Sequence, residues 1–259
     1  MELGLTSVTF RNLTYQEILH YCKECELTCI EWGSDIHVPQ TDMHYAEIIR
    51  DASKQAGIRI SSYGSYYSLC THDNWTEAFL PYLKTAAVLN APIIRIWSGS
   101  KSSCEVSQEY YCRAVNETQE LCDMAANYQI TIAFEYHDHS LSDTGKNAVQ
   151  IAKDINRKNF GLYFQYDSHV TFDENICSLN EMLPYVKMVH VAYNDFNRNA
   201  LFIDEGNGVI LWTRIINMLK SNQSKASFLL EFLKETSMEG LMRQTRVMKN
   251  LLKEGDWND

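Results

Sequence analysis

The segment ITIAFEYHDHSLSDT, residues 130–144, decides how the rest of the chain is read. An apolar run from Ile130 to Phe134 breaks off into Glu135, His137, Asp138 and His139. A buried strand that ends abruptly in ionisable residues marks a central strand with a site at its tip. The polar loop then passes through Asp143 and Thr144 into a helical pattern over about 144–156.

Outward from this segment the same unit recurs. Strand-like runs fall at 3–5, 27–30, 58–63, 92–96, 161–165, 186–192 and 227–232, and a helical pattern follows each one. Thr14 is set to cap the first helix, and Thr41 or Asp42 the second. Eight strands alternating strictly with eight helices imply a parallel sheet with right-handed crossovers. Eight such units in a chain of 259 residues fit one closed (β/α)₈ TIM barrel of the α/β class, a single domain over 1–259. An open doubly wound sheet would need a GxGxxG turn after its first strand, and the sequence has none there.

Composition narrows the function. The formal net charge of −10 speaks against a polyanionic partner, so no nucleic acid is expected. No apolar run approaches the roughly 20 residues of a membrane span. The start MELGLTSVTF lacks the pattern of a secretory signal. The eight cysteines are accordingly expected to be reduced thiols in a cytoplasmic protein. Cys22-x-x-Cys25 has no second CxxC to complete a metal site and is read as structural.

In a barrel of this kind the site gathers at the C-terminal strand ends. The polar residues falling there are Glu31, His37, Arg95, Glu135, His137, Gln165, Asp167, His169, His190 and Glu231. Glu135, His190 and Glu231 lie within or at the end of apolar strands, where an unpaired charge is costly. Together they form a candidate site for one divalent ion: Mn²⁺, Mg²⁺, Co²⁺ or Zn²⁺. The competing account is that either glutamate pairs with Arg95 and that His190 is a core histidine. Their joint occurrence on strands five, seven and eight favours a shared site.

The segments IEWGSDIHVP (30–39), SYGSYY (62–67), IRIWSG (94–99), FEYHDHSLSDT (134–144), GLYFQ (161–165), MVHVAYND (188–195) and LLEF (229–232) resemble the xylose-isomerase-like superfamily of sugar isomerases and epimerases. The resemblance implies one divalent metal held by residues of strands five to eight, here Glu135, His190 and Glu231. Its fourth ligand is an Asp, where this chain has Gln165, with Asp167 as the alternative. It implies proton transfer beside a carbonyl through an enediolate, with Glu135 and Glu231 as base and acid. His137 resembles the family's substrate-binding histidine. Glu31, His37, Arg95, Trp97 and His169 complete the expected substrate contacts, and Trp32 and Tyr66 are further candidates for its walls.

The expectation is therefore a metal-dependent isomerase or epimerase acting on a sugar, sugar phosphate or keto-polyol. An inosose-type dehydratase, a DNA-repair endonuclease and a metal-depleted sugar-binding barrel are the alternatives. The acidic balance and the few strand-end histidines oppose the endonuclease. The sequence leaves the substrate and any homo-oligomerisation open.

Overall fold

Each apolar run becomes a strand of one sheet, and the sheet closes on itself. The computed structural model describes residues 1–254. Its strands are β1 (Leu3–Thr6), β2 (Cys29–Gly33), β3 (Arg59–Ser68), β4 (Ile93–Trp97), β5 (Thr131–Glu135), β6 (Phe160–Gln165), β7 (Val186–Val191) and β8 (Ser227–Leu230). They pair in parallel in sequence order, and β8 closes onto β1. The helices are α1 (Tyr15–Glu24), α2 (Met43–Gln55), α3 (Trp75–Leu89), α4 (Gln108–Ala126), α5 (Gly145–Ile155), α6 (Phe172–Met182), α7 (Gly208–Ser221) and α8 (Met238–Glu254). This is a (β/α)₈ barrel, as the alternation implied.

Helix starts are set by local chemistry. Thr14 and Thr171 each form a reciprocal capping box, with Glu17 and Glu174, which satisfies backbone N–H groups at the first turns of α1 and α6. Asp42, not Thr41, caps α2 through the Tyr45 N–H. Cys22 and Cys25 are buried around the end of α1, and burial pushes both thiols upward, as suits structural residues.

The lumen is stratified. Cys29, Ala133, Tyr163, Met188 and Leu229 form a small apolar cluster, with Ile93 packed against it. Strand side chains alternate faces, so the residue two places on returns to the lumen, one step nearer the C-terminal end. In those six strands that residue is Glu31, Arg95, Glu135, Gln165, His190 or Glu231. An apolar plug thus supports a polar layer.

Several boundaries differ from the sequence reading. A short 3₁₀ turn, Ser7–Phe10, follows β1, and the Ser7 hydroxyl accepts the Gly33 N–H at 2.9 Å. β3 continues through the SYGSYY segment because Ser68 pairs with Trp97 across a register shift. β8 stops at Leu230, so Glu231 lies just past it, held by its N–H to the Val191 carbonyl at 3.1 Å. Among the described residues no helix is long and apolar enough to cross a membrane.

Candidate active site

The polar layer converges on His190, which β7 carries into the lumen fully buried. Its Nδ1 lies 3.3 Å from Glu135 Oε1 and 3.3 Å from Glu231 Oε2. Its Nε2 lies 3.4 Å from Glu31 Oε1. Neither ring nitrogen completes a well-aligned hydrogen bond.

The carboxylates are held differently. Glu135 Oε2 accepts from Arg95 Nη1 at 2.5 Å and from Trp97 Nε1 at 2.8 Å, which leaves Oε1 toward His190. Glu31 Oε2 accepts the Ser62 hydroxyl at 2.8 Å and the Tyr163 hydroxyl at 2.9 Å, while Arg95 Nε lies 3.4 Å from Oε1. Gly64 makes room for that pair. A Cβ there would stand 2.8 Å from Glu31 Oε1 and 3.0 Å from Arg95 Nη2.

Three carboxylates (Glu31, Glu135, Glu231) surround one guanidinium (Arg95) and one imidazole. With the imidazole neutral, two negative charges remain, the charge that a divalent cation neutralises. The surplus also shows in the titration of the cluster. Burial pushes Glu231 up to about 7. Burial would lower His190, but Glu231, Glu135 and Glu31 together push it up to about 10. Glu135 is raised by burial, yet Arg95 and then His190 hold it well below the usual carboxylate range.

The ligand spacing fits an ion as well. Oxygen and nitrogen donors about 2.0–2.2 Å from a zinc-like ion stand about 3.0–3.5 Å apart. His190 Nδ1 stands 3.3 Å from each glutamate oxygen, and one donor atom from each of the three residues lies within 4.8 Å of the others.

Glu135 and Glu231 open onto a cavity of about 290 Å³ at the C-terminal strand ends. His137, Gln165, Asp167 and His169 also line it. Gln165 is in register with His190 on the neighbouring strand, and Tyr163, two residues earlier, packs edge-on against the His190 ring at 5.0 Å. Asp167 sits beyond the strand, where it accepts the His169 N–H. Trp97 stacks on His137 at 6.0 Å in an adjoining recess of about 170 Å³.

Three expected substrate contacts lie elsewhere. His37 is buried outside the cavity, with Nδ1 3.0 Å from the Ser7 hydroxyl and Nε2 3.2 Å from the Leu13 carbonyl. The 3₁₀ turn after β1, unread in the sequence, supplies that partner. Arg95 and Glu31 are buried and paired with each other, off the cavity lining. Trp32 faces α2, where its Nε1 donates to Ser53.

One charged lining residue, Arg198, carried no expectation. Arg198 pairs with the Asp138 carboxylate across the mouth, and its Nη2 lies 3.4 Å from His169 Nδ1. Arg198 sits in the long polar segment between β7 and α7, and Asp138 follows β5. Asp138 is among the ionisable residues read at the strand tip, whereas Arg198 shows no periodicity that would have singled it out.

A family model described as xylose isomerase-like TIM barrel matches residues 19–251. A 3-dehydroshikimate dehydratase of Bacillus anthracis is 19% identical over 277 residues, covering 96% of this chain and 97% of its own. Among solved structures, an L-ribulose 3-epimerase aligns with a TM-score of 0.78 at 11% identity, covering 98% of this chain and 95% of that one. The IOLI protein with a bound zinc atom also aligns at 0.78, with 18% identity and 98% of each chain covered. At identities this low the structural likeness establishes the fold and nothing finer.

Proposed function

This chain belongs to the xylose isomerase-like TIM barrel family, and from that membership we propose that it is a metal-dependent isomerase or epimerase of a small sugar, sugar phosphate or keto-polyol. The observation that carries the reading is the placement of Glu135 and Glu231, each 3.3 Å from His190 Nδ1 and both open to one cavity. Glu135, His190 and Glu231 would hold the ion, with Gln165 as the fourth ligand and Asp167 as the alternative. A divalent ion bound there supplies Lewis-acid polarisation of a substrate carbonyl.

The chain's own groups supply the proton transfer. One glutamate takes the proton from the carbon beside the carbonyl, leaving an enediolate, and the other returns a proton. Return to the opposite face of the same carbon inverts it. Return to the neighbouring carbon interconverts aldose and ketose. Trp97 and Arg95 keep Glu135 in place through its outer oxygen. His137 and His169, on the cavity wall, would orient hydroxyl groups. A single barrel domain carries this activity. The cysteines, all free thiols, suit a cytoplasmic location.

The likeness to the dehydratase along 96% of this chain supports a second reading on the same groups. There the enediolate expels a β-hydroxyl as water after it takes up a proton.

The test follows exchange of substrate C–H with solvent deuterium across ketoses, keto-polyols, their phosphates and 3-dehydroshikimate. Exchange with recovery of an epimer or an aldose supports the main reading. Exchange with loss of water moves the protein to the dehydratases. A metal-loaded protein that exchanges none of them sinks both.

A further inference from the structure

We propose that Glu31 is a positioning residue that sets which nitrogen of His190 faces the ligand group. The inference rests on the metal site proposed above and adds the role of a residue on the opposite wall of the lumen.

Glu31 is buried, and its outer oxygen is fixed by two hydroxyl donors, Ser62 and Tyr163. Its other oxygen faces both Arg95 Nε and His190 Nε2, each at 3.4 Å. Gly64 supplies the space in which this arrangement sits. A carboxylate so placed is a fixed acceptor with no route to the cavity, so it does not contact substrate. The one polar hydrogen it can order on His190 is Nε2–H. A proton on Nε2 leaves Nδ1 as the unprotonated nitrogen, 3.3 Å from both Glu135 Oε1 and Glu231 Oε2. Histidines that ligate metals generally give their other N–H to a carboxylate or carbonyl, and losing that partner weakens metal affinity about 10–100-fold. Arg95 lies between Glu31 and Glu135, so one guanidinium braces both the imidazole's partner and a ligand carboxylate.

The test is made on metal-stripped full-length protein titrated with Zn²⁺ by calorimetry, together with ¹⁵N-histidine spectra of the zinc-loaded form. Wild type should carry its His190 proton on Nε2. Glu31→Gln keeps an oxygen acceptor but loses the charge, and should weaken zinc about 10-fold. Glu31→Ala should weaken it about 100-fold. The nitrogen assignment is read on the wild type, so it stands even if the alanine variant does not fold. A proton on Nδ1 in zinc-loaded wild type overturns the proposal, as does a folded Glu31→Gln with wild-type zinc affinity. A Glu31→Gln that raises KM with unchanged zinc affinity would make Glu31 a substrate contact instead. A wild type that takes up none of Zn²⁺, Mn²⁺, Co²⁺ and Mg²⁺ overturns the metal site itself, and the role of Glu31 falls with it.

Discussion

The barrel has an ionic cluster at each end, and the two are built on opposite principles. At the N-terminal end, Glu2 and Arg59 pair one to one. Arg59 Nε donates to Glu2 Oε1 at 3.2 Å, and the Ser227 hydroxyl donates to Oε2 at 3.1 Å. Both charged side chains are nearly half exposed, at 46% and 43%. At the C-terminal end three carboxylates share one guanidinium and one imidazole, and all five residues are buried. The first cluster is balanced, wet and self-sufficient, and it fastens the starts of β1, β3 and β8. The second is buried and, with the imidazole neutral, holds two uncompensated negative charges, which costs stability unless protons or another cation take part. Proton uptake by His190 and Glu231 offsets that surplus without an ion, and the cluster's opening onto a cavity makes this the candidate functional end.

The largest expected effect that would break this contrast is on turnover. Glu231→Gln and Glu135→Gln should each lower kcat by about 10²–10⁴, more than either weakens metal binding. Parallel activity and metal titrations decide it. A variant with near-wild-type turnover would show its glutamate to be at most a ligand.

The second prediction sharpens the comparison at the cavity. Gln165→Ala should lose bound metal while Asp167→Ala retains it, because Gln165 is in register with His190 and Asp167 lies beyond the strand. Gln165→Asp should tighten the metal by adding charge. Metal content after dialysis reads all three variants, and the reverse pattern for the alanine variants would assign the ligand to Asp167.

The smallest effect belongs to the other end. An exposed pair typically contributes under about 1 kcal/mol, so Arg59→Ala should shift the denaturant midpoint only slightly and leave metal affinity unchanged. A change in metal affinity would mean that the two ends are coupled through the strands.

The barrel was legible in the sequence because hydrophobic periodicity is local, and eight repeats of it leave little choice of topology. The lumen-facing positions were legible for the same reason: Glu135, His190 and Glu231 each stand two residues beyond an apolar lumen residue. Alternation assigns a face but not a depth, nor a partner across the barrel. Register shifts at Ile30/Glu31 and Leu162/Tyr163 help set the level at which Glu31 and Tyr163 meet. His37 shows the same limit from outside the lumen, since one of its partners, Ser7, comes from a short turn that carries no periodic signal. The sequence by itself thus determined the barrel and singled out Glu135, His190 and Glu231, which the closed sheet brings together. Only the tertiary structure decided that Glu31 and Arg95 are buried, paired with each other and off the cavity lining, because burial and cross-barrel distance are properties of the closed sheet and of no single strand.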